Sequence, residues 1–165
     1  MAERVAVNCI GIFQSFLGSG RDTVAPPRDI KEVEPDSNTL WGYFDGASSS
    51  DQTLCGGGGC LHFSHAHYFI LKEGLGQGTN NYSELMALKL LLLSSIEQGC
   101  RTLQVFGDSL VIINWINGKH RCQVSRFLPL LEDVMCTKNI FDTISLSHIY
   151  KERNQLADKL SKEAT

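Results

Sequence analysis

Four acidic residues stand where a charge has little reason to be. Asp45 lies inside the aromatic run Trp41–Ala47 (WGYFDGA), and Glu84 near the start of the most apolar stretch of the chain. Asp108 follows directly on the apolar Leu103–Phe106, and Asp158 lies between Ala157 and Leu160. A carboxylate among apolar neighbours is costly unless it is paired, hydrogen-bonded or bound to a metal. Taken singly, three of them have ordinary uses. Glu84 can complement a helix dipole, Asp108 can cap a helix, and Asp158 can sit on the wet face of an amphipathic helix. Asp45 has no such use, because aspartate is disfavoured in mid-strand. As a set they have a single chemical use. Hard cations such as Mg²⁺ take oxygen ligands, and two-metal phosphodiester cleavage needs several carboxylates converging on one point.

A second group, Cys55, Cys60, His62, His65 and His67, has ligand types suited to zinc. The glycines at 56–59 part the two cysteines on what reads as a strand, and the histidines straddle a turn. Ordinary strand and hairpin residues are therefore expected there.

The elements that must position the carboxylates are legible from Trp41 onward. Trp41–Ala47, Cys55–Phe63 and Tyr68–Leu75 read as strands by composition and length. The glycines at 56–59 point to a bulge or a close backbone approach in the second of them. Thr79-Asn80-Asn81 supplies N-cap chemistry for a helix over Tyr82–Gln98, apolar around most of its circumference and so mostly buried, with Gly99 ending it. Leu103–Phe106 is a fourth strand, and Asp108-Ser109 caps a helix running to about Asn117. A basic loop at Gly118–Gln123, a helix over Val124–Met135, a fifth strand over Phe141–Ile149 and a closing helix over Asn154–Ala164 complete the order. Hairpin-linked strands followed by alternating elements imply a mixed sheet in an α/β domain.

The segments FDGA (44–47), TNNYSELMAL (79–88), GDS (107–109) with VIINWING (111–118), and RNQLADKLSKEA (153–164) resemble the ribonuclease H family, in particular its reverse-transcriptase-associated and plant-like branch. The resemblance spans roughly Trp41 to Ala164 and carries all four acids in order. It implies a five-stranded mixed sheet of order 3-2-1-4-5 flanked by helices. It further implies hydrolysis of the RNA strand of an RNA/DNA hybrid with two Mg²⁺ ions, Mn²⁺ being a possible substitute, to leave 5′-phosphate and 3′-hydroxyl ends. In that family the carboxylate matching Asp45 bridges both ions. The one matching Asp158 helps hold the ion that activates water, and those matching Glu84 and Asp108 hold the other.

By the same resemblance, the Glu84 side chain and the main chain at Gly46, Ala47 and Ser48 contact ribose 2′-hydroxyls, the groups that distinguish RNA from DNA. Thr79, Asn80 and Asn81 match positions that touch the nucleic-acid backbone, although capping alone also explains them. Asn117 is a candidate for phosphate binding. The sequence departs from the family in two places. The stretch Ile149–Arg153 is too short for the mobile histidine loop of many members, which leaves Arg153 as the expected substitute near the site and His148 as a structural residue. The basic helical handle is also missing, with Lys119, Arg121 and Arg126 remaining, and Lys151, Arg153, Lys159 and Lys162 along the other end. Both departures imply slow turnover.

Length and composition agree with one domain of residues 41–165 behind an N-terminal extension or linker of residues 1–40, which holds Pro26, Pro27 and Pro35. With no apolar run near the roughly 18–20 residues a membrane span needs, and no clean secretory signal, a soluble intracellular monomer is expected. The six cysteines are scattered and read as reduced thiols. A net charge of −3 is unusual for a nucleic-acid binder, but the four carboxylates supply four of the negative charges, and without them the balance is +1. Weak hybrid binding by the domain alone follows, with the extension or a larger partner such as a reverse transcriptase supplying the rest. The alternatives are a catalytically silent, retroelement-derived binding module, which loss of an acid would have signalled, and a proofreading-type exonuclease. The latter usually shows Asp-x-Glu where this chain has Asp45-Gly46-Ala47.

Overall fold

In the computed structural model, residues 5–10 and 33–165 are described. In chain order the elements are β1 (Val5–Ile10), β2 (Leu40–Ser48), β3 (Cys55–His62), β4 (His67–Gly76), α1 (Asn80–Glu97), β5 (Thr102–Gly107), α2 (Leu110–Ile116), α3 (Leu128–Lys138), β6 (Thr143–His148) and α4 (Gln155–Glu163). They form a single sheet of order β1-β4-β3-β2-β5-β6. The five strands counted from β2 thus stand in the expected order 3-2-1-4-5. A sixth strand, β1, is added from the N-terminal extension, pairing antiparallel with β4 from Val5↔Lys72 to Ile10↔His67. Val5, Val7 and Ile10 are β-branched and suit a strand. Their hydrogen-bond partners lie some sixty residues away, however, and no strand is expected within an extension or linker of residues 1–40.

β2 is the pivot of the sheet. It pairs antiparallel with β3 and parallel with β5, so strand direction changes beside it. In α/β sheets ligands bind outside the carboxyl ends of the strands at such a change of connection. The register places Phe44 opposite Gly107. The next residue of each strand's path, Asp45 and Asp108, therefore comes to the same level.

Helices cover both faces, and the glycines of β3 show which face each helix holds. Successive positions on a strand point to opposite faces. A Cβ on Gly57 would meet Ala87 of α1 at 3.4 Å, whereas one on Gly58 would lie 2.4 Å from the Ser161 nitrogen of α4. α1 and α4 thus lie on opposite faces. On the α1 face, Phe44, Leu61, Leu85, Leu88, Leu91 and Leu92 join one buried core. Full burial of each such side chain stabilises by about 1.5–3 kcal/mol. On the α4 face Trp41, Phe106 and Ile149 make a smaller cluster. The glycine run shows both expected features: a register shift at Cys55/Gly56 and the close approach of α4. α1 closes at Gly99, whose φ of +76° is the left-handed conformation that favours glycine.

Most element boundaries differ from expectation by one to three residues, and two of the helix starts have an evident cause or consequence. The helix predicted from Val124 begins as a 3₁₀ turn at Ser125–Phe127, and α3 itself starts at Leu128. Pro129 is the reason, since proline suits the first turn of a helix and would break its interior. α1 starts at Asn80, so Glu84 sits just beyond the first turn.

The helix-to-strand contact can be tested by contrast. Gly58→Ala should cost about 1–3 kcal/mol or more by overpacking, read as a drop in the thermal midpoint. Gly57→Ala should cost much less, because its Cβ meets nothing closer than 3.4 Å. Equal losses would contradict the packing described.

Candidate active site

Each acid reaches the cleft by a different route. Asp45 shares the α4 face of β2 with Trp41 and Tyr43 by strand alternation. Glu84 arrives because Gly46 has no side chain. A Cβ there would stand 2.3 Å from the Glu84 nitrogen, so α1 lies directly on β2. Asp108 is the first residue beyond β5, and the His148 imidazole holds its main chain, with Nε2 3.1 Å from the Asp108 carbonyl oxygen. This gives His148 the structural place expected of it. Asp158 is carried by α4, which is tied to β2 by Asn154, whose amide donates to the Phe44 carbonyl at 2.9 Å. Ser161 Oγ, fully buried, donates to the Asp158 carbonyl at 2.8 Å and lies 3.5 Å from Asp45 Oδ2.

One oxygen from each of Asp45, Glu84 and Asp108 lies within 4.8 Å of the others. Asp45 is 4% exposed and Glu84 3%. Burial pushes the Asp45 carboxyl up from its usual 3.8 to about 7, and the nearby Asp108 charge adds to the effect. Burial, and then the Asp45 charge, raise Glu84 well above the ordinary range. Asp108 is raised by burial too, although the Lys151 ammonium works against the shift. Asp158 goes the other way. Burial opposes its ionisation, but the Lys162 hydrogen bond, Asp45 and Lys151 outweigh it and hold the carboxyl low.

The three clustered acids fit a divalent cation. Their donors are all oxygen, which suits a hard ion such as Mg²⁺. Glu84 Oε2 is buried and has no hydrogen-bond partner among the described residues. An unpartnered buried carboxylate oxygen is unfavourable unless a cation completes it.

Of the residues singled out from sequence, Asp45, Gly46, Ala47, Ser48, Asn80, Glu84, Asp108 and Asp158 line this one cleft. Thr79 instead caps α1, its hydroxyl accepting from the Tyr82 N–H at 3.2 Å. Asn81 is half-buried on the first turn of α1. Asn117 donates its amide to the Leu146 carbonyl at 3.0 Å. Arg153 pairs with Glu34 at 3.0 Å and borders a separate cavity with Trp41, Tyr43 and His62. The cationic residues at the carboxylates are Lys151 and Lys162. Lys162 was legible as the i+4 partner of Asp158 on a helix. Lys151 was visible in the sequence as one of the basic residues at that end of the domain, but only the 3₁₀ turn at Lys151–Arg153 aims it at the acids. Cys60, His62 and His65 of the second group line one cavity, but among the described residues the cysteines and histidines form no metal-ligand cluster. Cys60 Sγ lies 3.6 Å from His62 Nε2, while the Cys55 thiol donates to the Gly78 carbonyl at 2.7 Å.

The family described as reverse transcriptase-like matches residues 43–164, and the chain belongs to it. Its domain is ribonuclease H-like. It is 26% identical to the RNase H1 of the halophilic archaeon Halobacterium salinarum, with a TM-score of 0.65 over 76% of this chain and 96% of that one. It shares its fold with the N-terminal RNase H domain of a Mycobacterium tuberculosis protein, at 23% identity and a TM-score of 0.70 over 76% of this chain and 92% of that one. LC11-RNase H1 in complex with an RNA/DNA hybrid has the same fold, at 21% identity and a TM-score of 0.70 over 76% and 95% of the two chains. A curated relative, the uncharacterized protein YpeP of Bacillus subtilis, is 29% identical over 142 residues, covering 79% of this chain. The chain spans 59% of that relative's length. Among the described residues no helix is long and apolar enough to cross a membrane.

The clustered acids should make stability depend on pH and metal together. A carboxyl whose pKa is higher folded than unfolded holds its proton better in the folded state. Its contribution to stability is therefore full below the unfolded value and is lost as pH rises. For Asp45 that window runs from near 3.8 to about 7. Thermal melts in EDTA should show wild type losing stability across it relative to Asp45→Asn, and Mg²⁺ should remove most of the loss. Parallel pH profiles for the two proteins would refute the clustering.

Proposed function

We propose that this chain is a metal-dependent ribonuclease H that hydrolyses the RNA strand of RNA/DNA hybrids, leaving 5′-phosphate and 3′-hydroxyl ends. The observation that carries the reading is the convergence of Asp45, Glu84 and Asp108 in a cleft at the carboxyl end of β2. The presence of an RNA/DNA hybrid on LC11-RNase H1, a protein of the same fold, supports the substrate.

Glu84 and Asp108 would hold one divalent ion, Asp158 a second, and Asp45 would serve both. When bound, such ions supply hydroxide at neutral pH and neutralise charge on the transferring phosphoryl group. The chain's own contribution is position and dryness. Asp45 and Glu84 are almost sealed from water, so once their protons are replaced by a cation their charges would act in a low-dielectric setting where they are strong. The main chain of Gly46–Ser48 and the exposed Asn80 edge the same cleft and are placed to meet the sugar-phosphate backbone. Reading of the 2′-hydroxyl falls to that main chain and to Glu84.

The test is cleavage of labelled hybrid with Mg²⁺ or Mn²⁺, beside single-stranded RNA and duplex DNA. Asp45→Asn and Asp108→Asn should each lose about a hundredfold or more in rate, because several kcal/mol of charge stabilisation depend on the ions they hold. Hybrid binding without cleavage by wild type would identify a silent binding module and refute the nuclease.

A further inference from the structure

Asp158 differs from the other three acids in what already neutralises it. Lys162, one turn along α4, donates from Nζ to Asp158 Oδ2 at 2.8 Å. Lys151, from the turn ahead of α4, brings its Nζ to 3.6 Å from Oδ1. Each oxygen of Asp158 thus faces an ammonium. The Asp45, Glu84 and Asp108 oxygens crowd one another instead, and Glu84 Oε2 has no hydrogen-bond partner among the described residues. Lys151 also acts on Asp108, but among the described residues no lysine hydrogen-bonds to these three carboxylates.

Resting on the nuclease reading, we propose that Lys151 and Lys162 are resident counter-cations that set the order of metal loading. The Asp45–Glu84–Asp108 position takes a divalent ion first, and an ion beside Asp158 binds more weakly because it must displace the lysines. The reason is electrostatic. An ion that takes an Asp158 oxygen replaces an ammonium and then feels the repulsion of both lysines at close range. A divalent ion about 4 Å from one ammonium loses at least about tenfold in affinity even in water-like surroundings. The lysines can yield, since their side chains are 69% and 61% exposed and lysine is a point charge on a flexible stem. Lys151 and Lys162 are positioning residues in this scheme, acting through Asp158.

The experiment is Mn²⁺ binding to the full chain without nucleic acid, followed by electron paramagnetic resonance and calorimetry. Wild type should hold one ion tightly and a second weakly. The double variant Lys151→Met/Lys162→Met should tighten the second ion about tenfold or more. Lys162→Arg, which keeps the charge, should behave as wild type. Circular dichroism melts establish that each variant is folded. Unchanged second-ion affinity in the folded double variant overturns the loading order and leaves the nuclease reading standing. So does a wild type that binds two ions equally well. If wild type binds no more Mn²⁺ than Asp45→Asn, the nuclease reading falls and the loading order falls with it.

Discussion

Two helices lie on this sheet backbone against backbone, and the site depends on that closeness. α1 reaches β2 at Gly46, and α4 reaches β3 at Gly56 and Gly58, where an added Cβ would come within 2.4 Å of helix main-chain atoms. A side chain of any size at these points would push the helix outward. Glu84 would then leave Asp45 on one side of the sheet, or Asp158 and Ser161 would leave it on the other. Convergence of carboxylates from separate elements is thus a consequence of glycine placement in the strands, more than of anything in the helices that carry the acids.

That convergence works against folding. Asp45 and Glu84 are buried beside each other and beside Asp108, and burial with like charges disfavours ionisation of all three. The cost is borne by the apolar side chains around them. Phe44 is sealed in the α1-face core and Phe106 in the α4-face cluster, flanking the acids along their strands. Polar ties then hold the main chain where packing alone would leave it free. Asn154 secures Phe44, the residue before Asp45, and His148 secures Asp108 itself. The acids are held by their neighbours and contribute to function what they withhold from stability.

Charge is divided unevenly across the cleft. Its deep part holds three acids with raised pKa values, while its outer part pairs Asp158 with two lysines. The turn between β6 and α4 makes this division. It directs Lys151 to the carboxylates and sends Arg153 to Glu34 and the cavity beside Trp41. A chain with net charge −3 can thus present ammonium groups beside the carboxylates at one edge of its cleft.

Much of this was legible in the sequence because it rests on local rules. Strand and helix types follow from periodicity, the end of α1 from Gly99 and its start only to within the capping segment Thr79–Asn81, and the anomaly of Asp45 from its aromatic neighbours. The four motifs, read in order, carried the family and the strand order of β2 to β6. Tertiary structure alone decided the rest. Whether β1 joins the sheet depends on a distant strand edge, and the start of α3 turned on how Pro129 would be accommodated. The places of Asn117 and Arg153 depend on Leu146 and Glu34, partners remote in sequence. Glycines 56–59 read as a bulge or a close approach, and the helix that approaches, α4, lies about a hundred residues further on. Sequence spacing determines which residue types are available and which face of an element they share. Contacts between elements determine which charge meets which, because a pair's electrostatic energy depends on separation and burial, and neither is a local property.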